Sequence, residues 1–308
     1  MAMSKTSFFS CAFKDYAPLP AYHLAASQIA PYSLQKSASP ADIIISIPHG
    51  GFHYCEDITP QNSPFFDRMR SLEDSGTSLL KDMIEIDNCA IISAELSRAL
   101  IDLNRPATAL DPQLYDEDIR QADKQDRFAR YIQAGYGVAP RLCAQKKPLY
   151  DKHLTLESTK NLIDRFHKPY HDKLANLLSQ GARHYGQVIL LDVHSMPSHY
   201  AGKSCPDFVF GDHFGRCLPV TMREAITEHM KILGVSCGWN HPYAGGYITT
   251  HYGDIHGPIY ALQIEINRAL YTKADHKVSG DALKEIAQIL GQLVSSLRRL
   301  VSPDLAAE

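Results

Sequence analysis

The run Gly186-Gln187-Val188-Ile189-Leu190-Leu191 places four aliphatic residues in succession after a polar turn. Such a run has no polar face to offer water, so it reads as a strand buried on both sides, with helices covering each face of its sheet. It leads into Asp192-Val193-His194-Ser195. In open α/β sheets, ligands sit just beyond the carboxyl ends of the strands. Alternation along a strand points Asp192 and His194 to the same side. That pairing suits a histidine metal ligand and a carboxylate that orients it. It equally suits a strand-end histidine capping a turn.

The rest of the chain repeats the pattern. Asp42 to Ile47 (DIIISI) is another buried strand, stopped by Pro48 and followed by His49-Gly50-Gly51. Ala90 to Ser93 and Pro258 to Asn267 give two more. Between the strands, Leu79, Leu80, Met83 and Ile84 fall at helical spacing. Leu162 to Leu178 form an amphipathic helix ending at Gly181, with a kink or break at Pro169. Residues 220–234 are helical, Gly245-Gly246 opens a segment leading to His251, and a last helix carries Leu283 to Leu300. The alternation, without repeat or linker, predicts one α/β domain over residues 1–308: a mixed, largely parallel sheet with helices on both faces. Residues 1–40 lack periodicity and are expected to wrap the surface. The polar stretch 107–157 is long for a loop and is expected to form a lid-like excursion with short helices.

Composition excludes several classes. A net charge of −3 argues against a nucleic-acid or anionic-membrane surface. No apolar run approaches the ~20 residues of a membrane span, and the N-terminal SFFSCAF is too short for a signal sequence. Seven scattered cysteines, with no CxxC pair, read as reduced thiols of a cytoplasmic protein. Fifteen histidines direct attention to metal or proton chemistry.

His49 and His194 both follow buried strands and can meet at one sheet edge. A hydrolytic zinc site commonly adds a carboxylate to two histidines and leaves one position to water. Glu73 and Asp74 are the nearest carboxylates on a regular element, although acids at a helix start also simply complement its dipole. On the strand Leu262 to Asn267, the residues Gln263, Glu265 and Asn267 share one face. A mid-strand glutamate is costly to bury without a partner or a task. The task would be general base toward water, then acid toward a leaving nitrogen; the alternative is an exposed edge strand. Asn104-Arg105 after a strand would clamp a carboxylate, since the planar guanidinium binds one in bidentate fashion. His251, Arg268 and Tyr271 are candidates to line the same pocket. His167 and His171 stand at i, i+4, but HKPYH lacks the glutamate of a zinc-binding HExxH helix and reads as structural.

Six segments together resemble one family. SIPHGG (Ser46 to Gly51), IDLNRP (Ile101 to Pro106), PYHDKL (Pro169 to Leu174), LLDVHS (Leu190 to Ser195), GGYITTHYG (Gly245 to Gly253) and ALQIEINRALY (Ala261 to Tyr271) occur in the order found in N-formylglutamate amidohydrolases. These belong to the zinc-peptidase-like α/β hydrolases, akin to carboxypeptidases and aspartoacylase. The resemblance spans about residues 42–272. It implies zinc, or another divalent ion, held by His49, His194 and a carboxylate near Glu73, with Asp74 as rival. It implies Asn104 and Arg105 as the carboxylate clamp and Glu265 as catalytic base; in the reaction read from these residues, Arg105 helps to stabilise the oxyanion and His251 and Arg268 bind substrate beside the clamp. The substrate it implies is a small N-acyl amino acid, N-formyl-L-glutamate first. Departures are Gly50, where family members usually carry serine, and Leu72-Glu73-Asp74-Ser75, where they tend to show aspartate before a bulky aromatic. The 107–157 stretch matches only at Lys147-Pro148-Leu149-Tyr150. Two other functions stay open: hydrolysis of another N-acyl amino acid or small peptide, and binding without catalysis.

Overall fold

The computed structural model of the chain describes residues 16–19, 21–36, 40–60, 63–119, 127–273 and 277–301. Its centre is a seven-stranded sheet. In chain order the strands are β1 (Tyr32–Lys36), β2 (Ile43–Ile47), β3 (Cys89–Ala94), β4 (Val188–Met196), β5 (Phe208–Gly211), β6 (Cys237–Trp239) and β7 (Ile259–Asn267). Their spatial order is β6-β5-β7-β4-β2-β3-β1. The central strands β7, β4, β2 and β3 run parallel. The edge strand β1 and the β5–β6 pair run against them. The sheet is therefore mixed and largely parallel.

Period-two alternation divides the core between two layers. Ile44, Ile92, Val188, Leu190 and Ala261 face α1 (Lys168–Tyr185), meeting Tyr170, Leu174, Leu177 and Leu178. Ile43, Ile45, Ile47, Ile189, Leu191, Val193 and Ile264 face the opposite layer. There Met222, Ile226 and Met230 come from α2 (Val220–Ile232), and Leu283, Ile286, Leu290 and Leu293 from α4 (Gly280–Val301). Between α2 and α4 in sequence lies the short α3 (Tyr247–Tyr252). Each fully buried aliphatic side chain contributes about 1.5–3 kcal/mol, which is why continuous apolar runs occupy the central positions. A bidentate pair from Arg298 to Asp42, at 2.6 Å for each bond, fastens α4 to the entry of β2.

Several expectations are revised. Part of the segment assigned to the surface, Tyr32–Lys36, is the edge strand β1. The helix expected to stop at Gly181 continues to Tyr185 and ends at Gly186, whose φ of 77° breaks the helical path. Pro169 does not break it. A wide turn at Ile163–His167 precedes the proline, with Lys168 N–H reaching Ile163 O, so the helix from Leu156 runs on despite the missing donor. Residues Thr77–Asp82 form a 3₁₀ helix, not an α-helix. Strands β5 and β6 were not read at all, being too short for periodicity to register. No helix among the described residues is long and apolar enough to cross a membrane.

On the α1 side of the sheet, aliphatic residues give way to polar ones toward the carboxyl ends of the parallel strands. Ser46, Asp192, His194, Gln263 and Glu265 are all buried there. This polar interruption locates the site.

Candidate metal centre and active site

Three side chains converge beyond the ends of β2 and β4. His49 Nδ1 and His194 Nδ1 lie 2.9 Å apart, and Asp74 Oδ2 is 3.1 Å from His194 Nδ1 and 3.4 Å from His49 Nδ1. All three residues are buried. The position of Asp74 is fixed locally: its N–H donates to His49 O at 3.3 Å, and its Oδ2 accepts from Ser195 N–H at 3.1 Å.

The far nitrogen of each imidazole meets another carboxylate. His49 Nε2 is 2.7 Å from Asp102 Oδ1, and His194 Nε2 is 3.0 Å from Asp192 Oδ2. In the neutral form, with Nε2–H donating outward, each imidazole turns its Nδ1 lone pair inward, as a cation requires; without a cation, a protonated Nδ1–H donates to Asp74. Burial works against the charged forms of Asp74 and His194, but their mutual contacts outweigh it. The hydrogen bonds from His194 and His49, with the Arg268 charge, hold Asp74 well below the usual carboxylate range. The Asp192 and Asp74 carboxylates hold His194 well above the usual imidazole range. Asp102 is likewise depressed against its burial, chiefly by Arg98, which bonds its Oδ2 at 2.7 Å.

This donor set fits a divalent ion. Bonds of about 2.0–2.1 Å at tetrahedral angles put donor atoms roughly 3.3 Å apart, and the observed 2.9, 3.1 and 3.4 Å bracket that spacing. Asp74 and Asp102 pair with the guanidiniums of Arg98 and Arg268, whereas the ion-pair partner of Asp192 among the described residues is His194. With neutral imidazoles, the cluster keeps an excess of negative charge that a cation offsets. Two imidazoles and one carboxylate, with outer carboxylates on both rings, is the composition of hydrolytic zinc sites.

The carboxylate predicted at Glu73 is supplied by its neighbour. Glu73 turns away, accepting a hydrogen bond from Tyr54 OH and pairing with Arg70 Nε at 3.4 Å. Adjacent residues in an irregular turn point in different directions, and spacing alone does not say which one enters the cluster.

Glu265 is 6% exposed and lies opposite His194 in the β7–β4 ladder. The strand β7 is flanked by β4 and β5, so Glu265 is not on an edge strand. Burial pushes its pKa up to about 7, with His194 pulling down and Asp74 pushing up.

The expected clamp divides. Asn104 is buried, with Nδ2 3.0 Å from His194 Nε2 and 3.4 Å from Asp192 Oδ2, while Oδ1 accepts from Ile248 N–H at 2.8 Å. It supports the His194–Asp192 pair instead of facing open space. Arg105 donates Nε to Tyr136 O at 3.1 Å and Nη1 to Asn104 O at 2.8 Å. Its guanidinium lies 4.4 Å from the Tyr131 ring centroid, and it has no carboxylate ion-pair partner among the described residues. Arg268 bonds Asp74 Oδ1 at 3.0 Å and Ser195 Oγ at 2.8 Å, so it orients a triad member. His251 stands off from the triad, stacked on Tyr247 at 4.8 Å. Tyr271 is fully buried in the core.

Arg98 and Asp102 were not singled out from the sequence. Their i, i+4 spacing, with Asp102 two residues before Asn104, was the available signal. His167 and His171 are indeed structural. Their Nε2 atoms bond Arg105 O at 2.8 Å and Leu103 O at 2.9 Å, gripping the backbone on either side of Asn104.

Gly246 leaves room for this arrangement, because a Cβ there would sit 2.3 Å from Asn104 Nδ2. Gly246→Ala therefore displaces the amide that braces His194. Outer partners of metal ligands are worth roughly 10–100-fold in affinity. A zinc titration of the variant is expected to show a loss of that size, and an unchanged dissociation constant would refute the bracing role.

The comparisons with known proteins follow this geometry. The family profile described as N-formylglutamate amidohydrolase matches residues 41–272. An N-formylglutamate deformylase of Pseudomonas putida is 28% identical over 266 residues, covering 83% of this chain and 91% of that protein. Its counterpart in Pseudomonas aeruginosa is 26% identical over 267 residues, covering 83% and 92%. The crystal structure of N-formylglutamate amidohydrolase from Ralstonia eutropha superposes with a TM-score of 0.78 at 24% identity, over 91% of this chain and 100% of that one. That likeness shows the shared fold. The match of the family profile across the sheet, the triad and Glu265 shows that this chain belongs to the N-formylglutamate amidohydrolase family.

Proposed function

We propose that this protein is a zinc-dependent amidohydrolase that releases formate from N-formyl-L-glutamate. The observation that carries the reading is the juxtaposition, on one face of the sheet, of the His49–Asp74–His194 triad and the buried carboxylate of Glu265. The two Pseudomonas relatives, named for removal of formyl from N-formylglutamate, support the substrate.

A divalent ion held by the triad supplies Lewis acidity to the formyl carbonyl and to the attacking water. Glu265 takes the proton from that water as its oxygen adds to the formyl carbon. It then returns the proton to the nitrogen as the carbon–nitrogen bond breaks, giving formate and a free amino group. Asp102 and Asp192 hold the two imidazoles in the tautomer that turns Nδ1 inward. Arg105, a cation with unused donors, receives a substrate carboxylate and helps stabilise negative charge developing at the carbonyl oxygen. The described residues of the 107–157 excursion serve as a lid, since Tyr131 lies over Arg105 and Phe128 meets Tyr247 edge-on. His251 stacks on the same Tyr247. The scattered cysteines of the sequence favour the cytoplasm as its place of work.

The test is formate release from N-formyl-L-glutamate beside its N-acetyl and N-succinyl counterparts and N-formyl-L-glutamine. Preference for formyl on an acidic amino acid is expected. Arg105→Ala is expected to raise KM roughly 10- to 100-fold, the value of a charge-assisted bond. Equal turnover of larger acyl groups, or an unaltered KM in Arg105→Ala, would refute the substrate assignment.

A further inference from the structure

We infer that Gln263 is a positioning residue for the general base, coupling Glu265 to the start of α3; the inference rests on the reading of Glu265 as base. Gln263 lies two residues before Glu265 on the same face of β7 and is 4% exposed. Its Oε1 accepts from Gly246 N–H at 2.6 Å, and its Nε2 donates to Glu265 Oε1 at 2.7 Å. The orientation of the amide is dictated by its partners. A backbone N–H can only donate, so the oxygen must face Gly246, which leaves the NH₂ for the carboxylate. No other hydrogen bond reaches the Glu265 carboxylate among the described residues.

One carboxylate oxygen is thus committed to Gln263, and the other is left for the proton of the attacking water. The same stretch of backbone serves the metal side. Ile248 N–H, two residues beyond Gly246, donates to Asn104 Oδ1, and Asn104 in turn braces His194 and Asp192. Gln263 and Asn104 are therefore two arms from one helix start, one to the base and one to a triad ligand. Their common anchor fixes the base relative to the triad. Misplacement of a reacting group by about 1 Å can cost 10²-fold in rate. An amide that merely satisfied buried polar groups would matter to folding and not to turnover.

The test compares Gln263→Leu, Gln263→Glu and Glu265→Gln with wild type, measuring kcat, KM, zinc per chain and thermal midpoint. Gln263→Leu removes both bonds. Gln263→Glu keeps the acceptor for Gly246 but loses the donor, and it decides the matter if the leucine variant does not fold. Both Gln263 variants are expected to lose roughly 10- to 100-fold in kcat, with KM within about twofold of wild type and zinc content unchanged. A wild-type kcat in a folded variant overturns the proposal. Zinc lost in step with kcat also overturns it, in favour of a structural role. Turnover retained in Glu265→Gln brings down the base reading itself, and the positioning role with it.

Discussion

Glu265→Gln is expected to cut kcat by roughly 10²–10⁴-fold while leaving the fold and the zinc content intact. The amide keeps the shape of the side chain but cannot accept and return a proton. The environment explains why this carboxylate is suited to the task. Asp74 and Glu265 are both buried, and their surroundings push them in opposite directions. Asp74 is ringed by two imidazoles and Arg268, which overcome its burial and keep it ionised. Glu265 has one neutral donor, Gln263, and burial lifts it to about 7, with His194 and Arg268 pulling down and Asp74 pushing up. Two carboxylates with separated pKa values suit separate roles, and the proposed function gives the ionised one the role of ligand and the neutral-range one that of base. With Glu265 as the proposed base, the ionised form is the active one, so activity is expected to rise with pH along the acid limb. A cation in the triad moves that limb below 7, since positive charge favours the carboxylate. The profile of kcat/KM against pH checks both points: wild type shows the rising limb, and the glutamine variant lacks it. A folded variant with wild-type turnover would place the base elsewhere.

Glu265 also shows what the sequence can convey. Alternation made Gln263, Glu265 and Asn267 one polar face opposite Leu262, Ile264 and Ile266, but an exposed edge strand would share that pattern, and only the flanking strands show the face to be buried. The same logic put Asp192 beside His194. The strands that form the centre of the sheet were legible because parallel strands covered on both sides must be apolar throughout. The peripheral strands were not: β6 has three residues and β5 four, and both owe their extension to neighbours across the sheet. The same limit affected Asp74 and Asn104. In a turn, no periodicity tells Glu73 from Asp74. Only the contact with His194, 120 residues away in sequence, separates them. Asn104 was placed at the site, but its partners, Ile248 and His194, come from elements brought together by the sheet.

The distinction between Glu73 and Asp74 leads to the second large effect. Asp74→Ala is expected to weaken zinc binding by more than the roughly 10–100-fold typical of outer-partner changes, and to abolish formate release. Glu73→Gln is expected to bind zinc as wild type does. The asymmetry follows from geometry. Asp74 Oδ2 stands within 3.4 Å of both imidazole Nδ1 atoms, whereas Glu73 is bonded to Tyr54 and Arg70. Removing Asp74 also leaves Arg268 facing His49 and His194 without the carboxylate that separates their charges, so a cation is disfavoured twice over. Elemental analysis of the purified variants gives the first readout. Thermal unfolding with and without a chelator gives a second that needs no substrate. A metal at about 100 times its dissociation constant stabilises the folded chain by ~2.7 kcal/mol, so chelation lowers the midpoint of wild type and Glu73→Gln by several degrees. Asp74→Ala has no such stabilisation to lose, and its midpoint stays where it is. Zinc retained in Asp74→Ala but lost in Glu73→Gln would reverse the assignment, and loss in both would mean that the turn carrying them, not one carboxylate, makes the site.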